Sequence, residues 1–197
     1  YYLRVKSLKI QKQLFASADK ELTKEEYDRL LRAARQKKNE RLYLLMQTIC
    51  STGTRVSELR HITIEAIRFG VAEINCKGKR RRVFLPMQLC KMLKQYAKEQ
   101  KIKSGAVFVT KNGNPLDRSN IWDDMKKLCK AAKGPEKKVF PHNLRHLFAR
   151  TYYSLQKDVV RLADILGHSS VNTTRIYTME SGEIHRKQIQ GLGLLRC

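Results

Sequence analysis

From Thr23 to Ala34 the apolar positions Tyr27, Leu30, Leu31 and Ala34 recur at helical spacing, behind a Thr23/Glu26 capping box. Leu42, Leu45, Met46 and Ile49 predict a second helix from about Asn39 to Ser51, broken at Gly53. From Val71 to Pro86 the period shifts to two. Val71-Ala72-Glu73-Ile74-Asn75-Cys76 and Arg80-Arg81-Arg82-Val83-Phe84-Leu85-Pro86 flank Lys77-Gly78-Lys79, which predicts a hairpin with a basic tip. A helix over about Met87 to Gln100 and a short strand at Ala106-Val107-Phe108-Val109 follow. After a turn at Asn112-Gly113-Asn114-Pro115, Ser119 or Asp117 caps a helix with Ile121, Trp122, Met125 and Leu128 inward. Pro141 opens a further helix whose apolar stripe is Leu144, Phe148, Thr151/Tyr152 and Leu155. Another, from Asp158 to Leu166, stops at Gly167, and hydroxyls between Ser169 and Thr174 cap a last short helix carrying Tyr177. The pattern is that of a mixed α/β chain, mainly α-helical with a small antiparallel β-sheet.

At 197 residues, 42% of them apolar, the chain can bury a real core as one domain. Residues 1–18 carry no cap or core pattern and read as the end of an interdomain linker, so the domain spans 19–197. The first residue is Tyr1 and not Met, which suggests a processed or excised piece. Lys and Arg outnumber Asp and Glu 41 to 18, a net charge of +23 spread along the chain. Such a field selects a polyanion, with nucleic acid first and a membrane surface a weaker alternative. No apolar run is long enough for a spanning helix and no signal peptide opens the chain. The five cysteines are odd in number, widely spaced and never in a Cys-x-x-Cys pair, as expected of reduced thiols in a cytoplasmic protein.

The reactive side chains concentrate between Pro141 and Tyr177. His142, Arg145 and His146 fall at i, i+3 and i+4, so one helix face offers a cation and two imidazoles to an anion. Two histidines at that spacing also suit zinc, but Arg145 stands between them, and a fixed cation beside a dication is unfavourable. No metal is expected. His168 is projected directly after the Gly167 stop, and Tyr177 lies nine residues further on. Upstream, Arg55 and Glu58 sit at i, i+3, where the carboxylate can hold the guanidinium in one orientation. Alone this reads as a surface ion pair; beside the Gly53 break and the apolar Val56 and Leu59 it reads as a fixed, partly buried arginine. Lys79, Arg80, Arg81 and Arg82 resemble a nuclear localisation signal in composition, but their place between two strands favours contact with a DNA groove.

Taken in order, Thr52-Gly53-x-Arg55-x-x-Glu58-Leu59, the Lys77-Gly78 hairpin, His142-x-x-Arg145-His146, Leu166-Gly167-His168 and Tyr177 resemble the tyrosine recombinases, the phage integrase and Xer-type strand-exchange enzymes. The resemblance covers about residues 20–185. It implies the DNA breaking-rejoining catalytic-domain fold and a site in which Arg55, Arg145, His142 and His168 hold the scissile phosphate. Tyr177 would be the nucleophile and Lys77 the general acid, with Lys79 in reserve; Glu58 and His146 would orient Arg55 and the active-site helix. No metal or cofactor is implied. The expected partner is a double-stranded DNA recombination site, bound by a homo-tetramer that exchanges strands through a Holliday junction. The tail 178–197, with Ile184, Ile189, Leu192, Leu194 and Leu195, would dock on a neighbouring protomer or close its own core. The core-binding domain that clamps DNA in full-length members is expected to be absent from this chain. Thr54 stands where many relatives are apolar, and Cys76 where glycine is common. Three rivals share some features: a type IB topoisomerase, a DNA-binding regulator without turnover, and a metal-dependent transposase, which the few acidic residues disfavour.

Overall fold

The computed structural model describes residues 21–76, 79–132, 138 and 141–168. Helix α1 (Lys24–Gln36) starts on the expected capping box: the Thr23 hydroxyl accepts from the Glu26 amide, and the Glu26 carboxylate accepts from the Thr23 amide at 2.9 Å. Helix α2 (Glu40–Thr52) is buried on nearly all sides. It tolerates two threonines there because Thr48 and Thr52 donate their hydroxyls back to carbonyls one turn earlier, at 2.8 and 2.6 Å. A 3-10 turn (Val56–His61) and the short helix α3 (Ile64–Phe69) lead into the hairpin of β1 (Val71–Cys76) and β2 (Lys79–Phe84). Helices α4 (Met87–Glu99), α5 (Arg118–Ala131), α6 (Pro141–Gln156) and α7 (Val159–Leu166) complete the described fold. Asp117, and not Ser119, caps α5.

Helix α2 is the central member, with α1, α4, α5 and α6 packed around it. The hairpin pairs antiparallel from Val71↔Phe84 to Cys76↔Lys79, and strict alternation turns Ala72, Ile74 and Val83 into the core. Below α6 a smaller cluster joins Ala149, Leu162 and Leu166, with Phe148, Tyr152 and Tyr153 at its margin. Among the described residues no helix is long and apolar enough to cross a membrane.

Three expectations need correction. Ala106–Val109 is not a strand: Thr63↔Ala106 and Val109↔Pro115 are isolated bridges. Val107 and Phe108 are both buried, and their backbone groups pair with different segments, Ile62 and Leu116, so no ladder can propagate. The stripe on α6 also ends early. Leu155 is 74% exposed and Thr151 is exposed, because α6 is buried mainly over its N-terminal half. Trp122 is half-buried at a cleft and does not belong to the core.

Gly53 terminates α2 in the left-handed conformation, φ +66°. A Cβ there would stand 2.6 Å from Phe148 Cδ1 and 3.0 Å from Leu166 Cδ2. Gly53→Ala therefore combines left-handed strain with overpacking, and should destabilise the fold by about 2–4 kcal/mol in urea unfolding. A midpoint within about 0.5 kcal/mol of the parent, the range of neutral surface changes, would contradict this close approach.

Candidate active site

The Gly53 turn aims the chain at a cleft. Behind it the Thr52 and Thr54 hydroxyls meet at 3.0 Å, both buried, so the polar Thr54 is accommodated by its own neighbour. Arg55 follows in extended conformation and its amide donates to Glu58 Oε2 at 2.7 Å. Its guanidinium meets Glu58 Oε1 at 2.8 Å, so one carboxylate fixes both ends of the residue. The Glu58 side chain is 3% exposed while that of Arg55 is 42% exposed, which leaves the guanidinium open to a ligand. Burial alone would raise the Glu58 carboxyl. The Arg55 amide and the guanidiniums of Arg81 and Arg55 outweigh it and hold the group below its ordinary value, ionised.

Helix α6 brings the second arginine from the other end of the chain. Arg145 is 2% exposed and donates to the carbonyls of Gly53 and Leu166, the latter at 2.6 Å. These neutral oxygens orient the guanidinium without cancelling its charge. The same nitrogen that reaches Leu166 lies 3.2 Å from His168 Nε2. Arginine only donates, so Nε2 is the acceptor and the imidazole carries its proton on Nδ1. The α7 helix ends at Gly167, φ +65°, and the turn places His168 there. His142 stands exposed in the first turn of α6, its ring edge-on to His146 at 4.2 Å.

All three imidazoles are shifted toward the free base. For His168, burial first and then the guanidiniums of Arg145, Arg55 and Arg81 push the value down to about 4. His146 also falls to about 4, through burial and then His142 and Arg150. His142 is lowered by the packing around its inner side, then by Arg145, Arg118 and Arg55. From the ordinary 6.5 down to about 4, the unfolded chain binds protons at His146 and His168 that the fold excludes. Stability is thus complete above that window and is lost as pH falls through it. The melting temperature should decline between pH 6.5 and 4.5, and His146→Gln with His168→Gln should flatten the slope; a parent whose melting temperature is constant over this range would refute the assignment.

Arg55, Arg145 and His142 line one cleft, together with Thr54, Arg118 and Trp122. Arg118 was not singled out from the sequence, and Trp122 was read there as a core residue. The signal was present: they stand four apart in the first turns of a capped helix, so they share a face. The remaining candidates divide. Glu58 is joined to Arg55, and His146 stands behind His142 and is half-buried. Arg80 is exposed, and Arg82 is 72% exposed beside Glu73. Arg81 is instead turned inward, its side chain 15% exposed against Glu58. Lys77, Tyr177, the side chain of Lys79 and the tail 178–197 lie outside the described residues.

A cleft lined by the guanidiniums of Arg55, Arg118 and Arg145 and by the imidazole of His142 suits an anion. Family comparison agrees with that chemistry, and the chain belongs to the phage integrase family, whose sequence model matches residues 20–183. It is 32% identical over 200 aligned positions to tyrosine recombinase XerA of Pyrococcus furiosus, covering 98% of this chain and 67% of that protein. Tyrosine recombinase XerD of Corynebacterium glutamicum is 32% identical over 158 positions, 75% of this chain and 51% of the relative. Among solved structures, the XerH site-specific recombinase bound to difH substrate, in its pre-cleavage complex, superposes with a TM-score of 0.73 at 27% identity. That match covers 86% of this chain and 53% of the XerH chain. The chain therefore spans from about half to two thirds of the length of these relatives. The mainly helical architecture with its two-stranded antiparallel sheet is that of tyrosine recombinase catalytic domains.

Proposed function

We propose that this chain is the catalytic part of a site-specific tyrosine recombinase that cuts and rejoins DNA by metal-free transesterification. The observation that carries the reading is that Arg55 and Arg145, 90 positions apart in sequence, line one cleft with His142, while His168 is joined to Arg145 at 3.2 Å. The substrate is a duplex recombination site, in line with the difH substrate bound by the XerH site-specific recombinase.

A phosphodiester attacked in line gains negative charge on its non-bridging oxygens. Arg55 and Arg145, held before the substrate arrives, stabilise that charge without reorganisation. The nucleophile is Tyr177. Its phenolic oxygen bonds to phosphorus as the bond to the 5′-oxygen breaks, giving a 3′-phosphotyrosyl link and a free 5′-hydroxyl. His142, kept as the free base by its surroundings, accepts the phenolic proton. Lys77 donates the proton that the departing 5′-oxygen takes, with Lys79 as the alternative donor. His168 hydrogen-bonds the phosphate. Ester exchange conserves the bond energy, so reversal onto another strand needs no ATP.

Residues 19–197 form the catalytic domain, with residues 1–18 as linker. Four copies act on two duplexes in the cytoplasm, exchanging strands through a Holliday junction, and the apolar tail of 178–197 docks on the neighbouring copy.

The test uses the full protein with a nicked suicide duplex in EDTA, drawn from a pool of sequences at the encoding element's ends, followed by mass spectrometry. A nucleotide adduct on Tyr177 is expected. An adduct on another residue, or cleavage that requires magnesium, would overturn the reading.

A further inference from the structure

Of the basic residues expected to face DNA from the hairpin, Arg81 alone among those described points the other way. Its cross-strand partner is Ile74, 2% exposed, so the pleat that buries Ile74 carries Arg81 inward as well. One nitrogen of its guanidinium donates to Glu58 Oε2 at 2.5 Å, and another donates to the carbonyl of Ile165. The side chain lies across Gly167, where an added Cβ would stand 2.6 Å from Arg81 Cδ. Only the bare glycine turn leaves room for it.

The acceptor end explains why an arginine is needed there. The carbonyls of Ile165 and Leu166, the last of α7, and that of its C-cap Gly167 lack an intrahelical donor and carry the negative pole of the helix. Each receives a guanidinium from a different element: Ile165 from Arg81 on β2, Leu166 from Arg145 on α6, and Gly167 from Arg55 before the 3-10 turn, at 3.5 Å. His168 leaves the helix immediately after these three oxygens. The Glu58 carboxylate closes the circuit by binding Arg55 and Arg81 together.

We infer that Arg81 is a positioning residue for the cleavage reaction: it joins Glu58 to the Ile165 carbonyl, holds Arg55 and the His168 turn in one frame, and ties the hairpin that carries Lys77 to that frame. It does not serve as a DNA contact. The inference rests on the active-site reading proposed above. Lysine could reach one of the two partners but not span both, and methionine fills the volume with neither bond.

The full protein is compared as parent, Arg81→Met, Arg81→Lys and Arg80→Ala on a labelled suicide duplex. Affinity is measured across a salt series, and single-turnover cleavage at saturating protein. Arg80→Ala serves as the exposed-cation control and should lower the slope of log K against log salt by about 0.9. Arg81→Met and Arg81→Lys should leave that slope unchanged while the saturated rate falls on the order of 100-fold, as when a catalytic frame shifts by an ångström. Thermal melting reports whether each variant is folded; if Arg81→Met is not, Arg81→Lys, which keeps charge and length, decides. A lowered salt slope with a rate within about twofold of the parent would make Arg81 a phosphate contact and overturn the inference. An unchanged slope with an unchanged rate overturns it equally. A parent that forms no adduct overturns the recombinase reading itself, and the role given to Arg81 with it.

Discussion

Arg145→Ala should cut the saturated single-turnover cleavage rate by about a hundredfold to a thousandfold, the usual cost of one donor lost from an oxyanion-type site. The size of the effect follows from how the side chain is held. Arg145 is 2% exposed, and its forked guanidinium is fixed by the carbonyls of Gly53 and Leu166 and by His168. A phosphate entering the cleft meets a cation that has already been desolvated and aimed. Truncation also strips donors from two carbonyls in a buried region, at about 1–3 kcal/mol for a buried polar group left unsatisfied, so thermal stability should fall with activity. Arg145→Lys separates the two effects, because it keeps a charge but cannot fork between Gly53 and Leu166. It should be better folded than the alanine variant and still slow. Near-normal cleavage by Arg145→Ala at saturating protein would remove this residue from the site.

Tyr177→Phe removes a single oxygen, and it should abolish the covalent adduct while leaving DNA affinity intact. In the proposed reaction the phenolic oxygen becomes part of the intermediate, so no neighbouring group could compensate for its loss as one guanidinium partly compensates for another. Gel-shift titration beside denaturing electrophoresis of the same samples reads both quantities. A Phe variant that still forms an adduct would place the nucleophile on another of the chain's eight tyrosines.

Much of this arrangement was legible in local patterns. The Thr23/Glu26 capping box, the stops at Gly53 and Gly167, and the Arg55/Glu58 pair each depend on residues within four positions of one another, and each is present in the fold. The burial of Arg145 was not legible. Helical spacing places it beside His142 and His146, yet what covers it is the Gly53 turn, 92 positions upstream. The inward turn of Arg81 was missed for a different reason. Its composition reads as a basic tip, whereas the alternation with Val83 on β2, and with Ile74 opposite, carries the inward signal. The Ala106–Val109 segment has the right residues for a strand but no neighbour along which a ladder could extend. Leu155 fits the apolar stripe of α6 at a point beyond the reach of α2.

The partners of the two active-site arginines have a temporal consequence. Arg55 and its Glu58 anchor leave the ribosome long before Arg145 and the end of α7, and the Gly53 turn that receives Arg145 waits with them. An incomplete nascent chain therefore carries one half of a phosphate clamp at most. The two guanidiniums can share their cleft only after α7, the last of the described helices, has been synthesised, so the order of the sequence sets when the proposed strand cleavage first becomes possible.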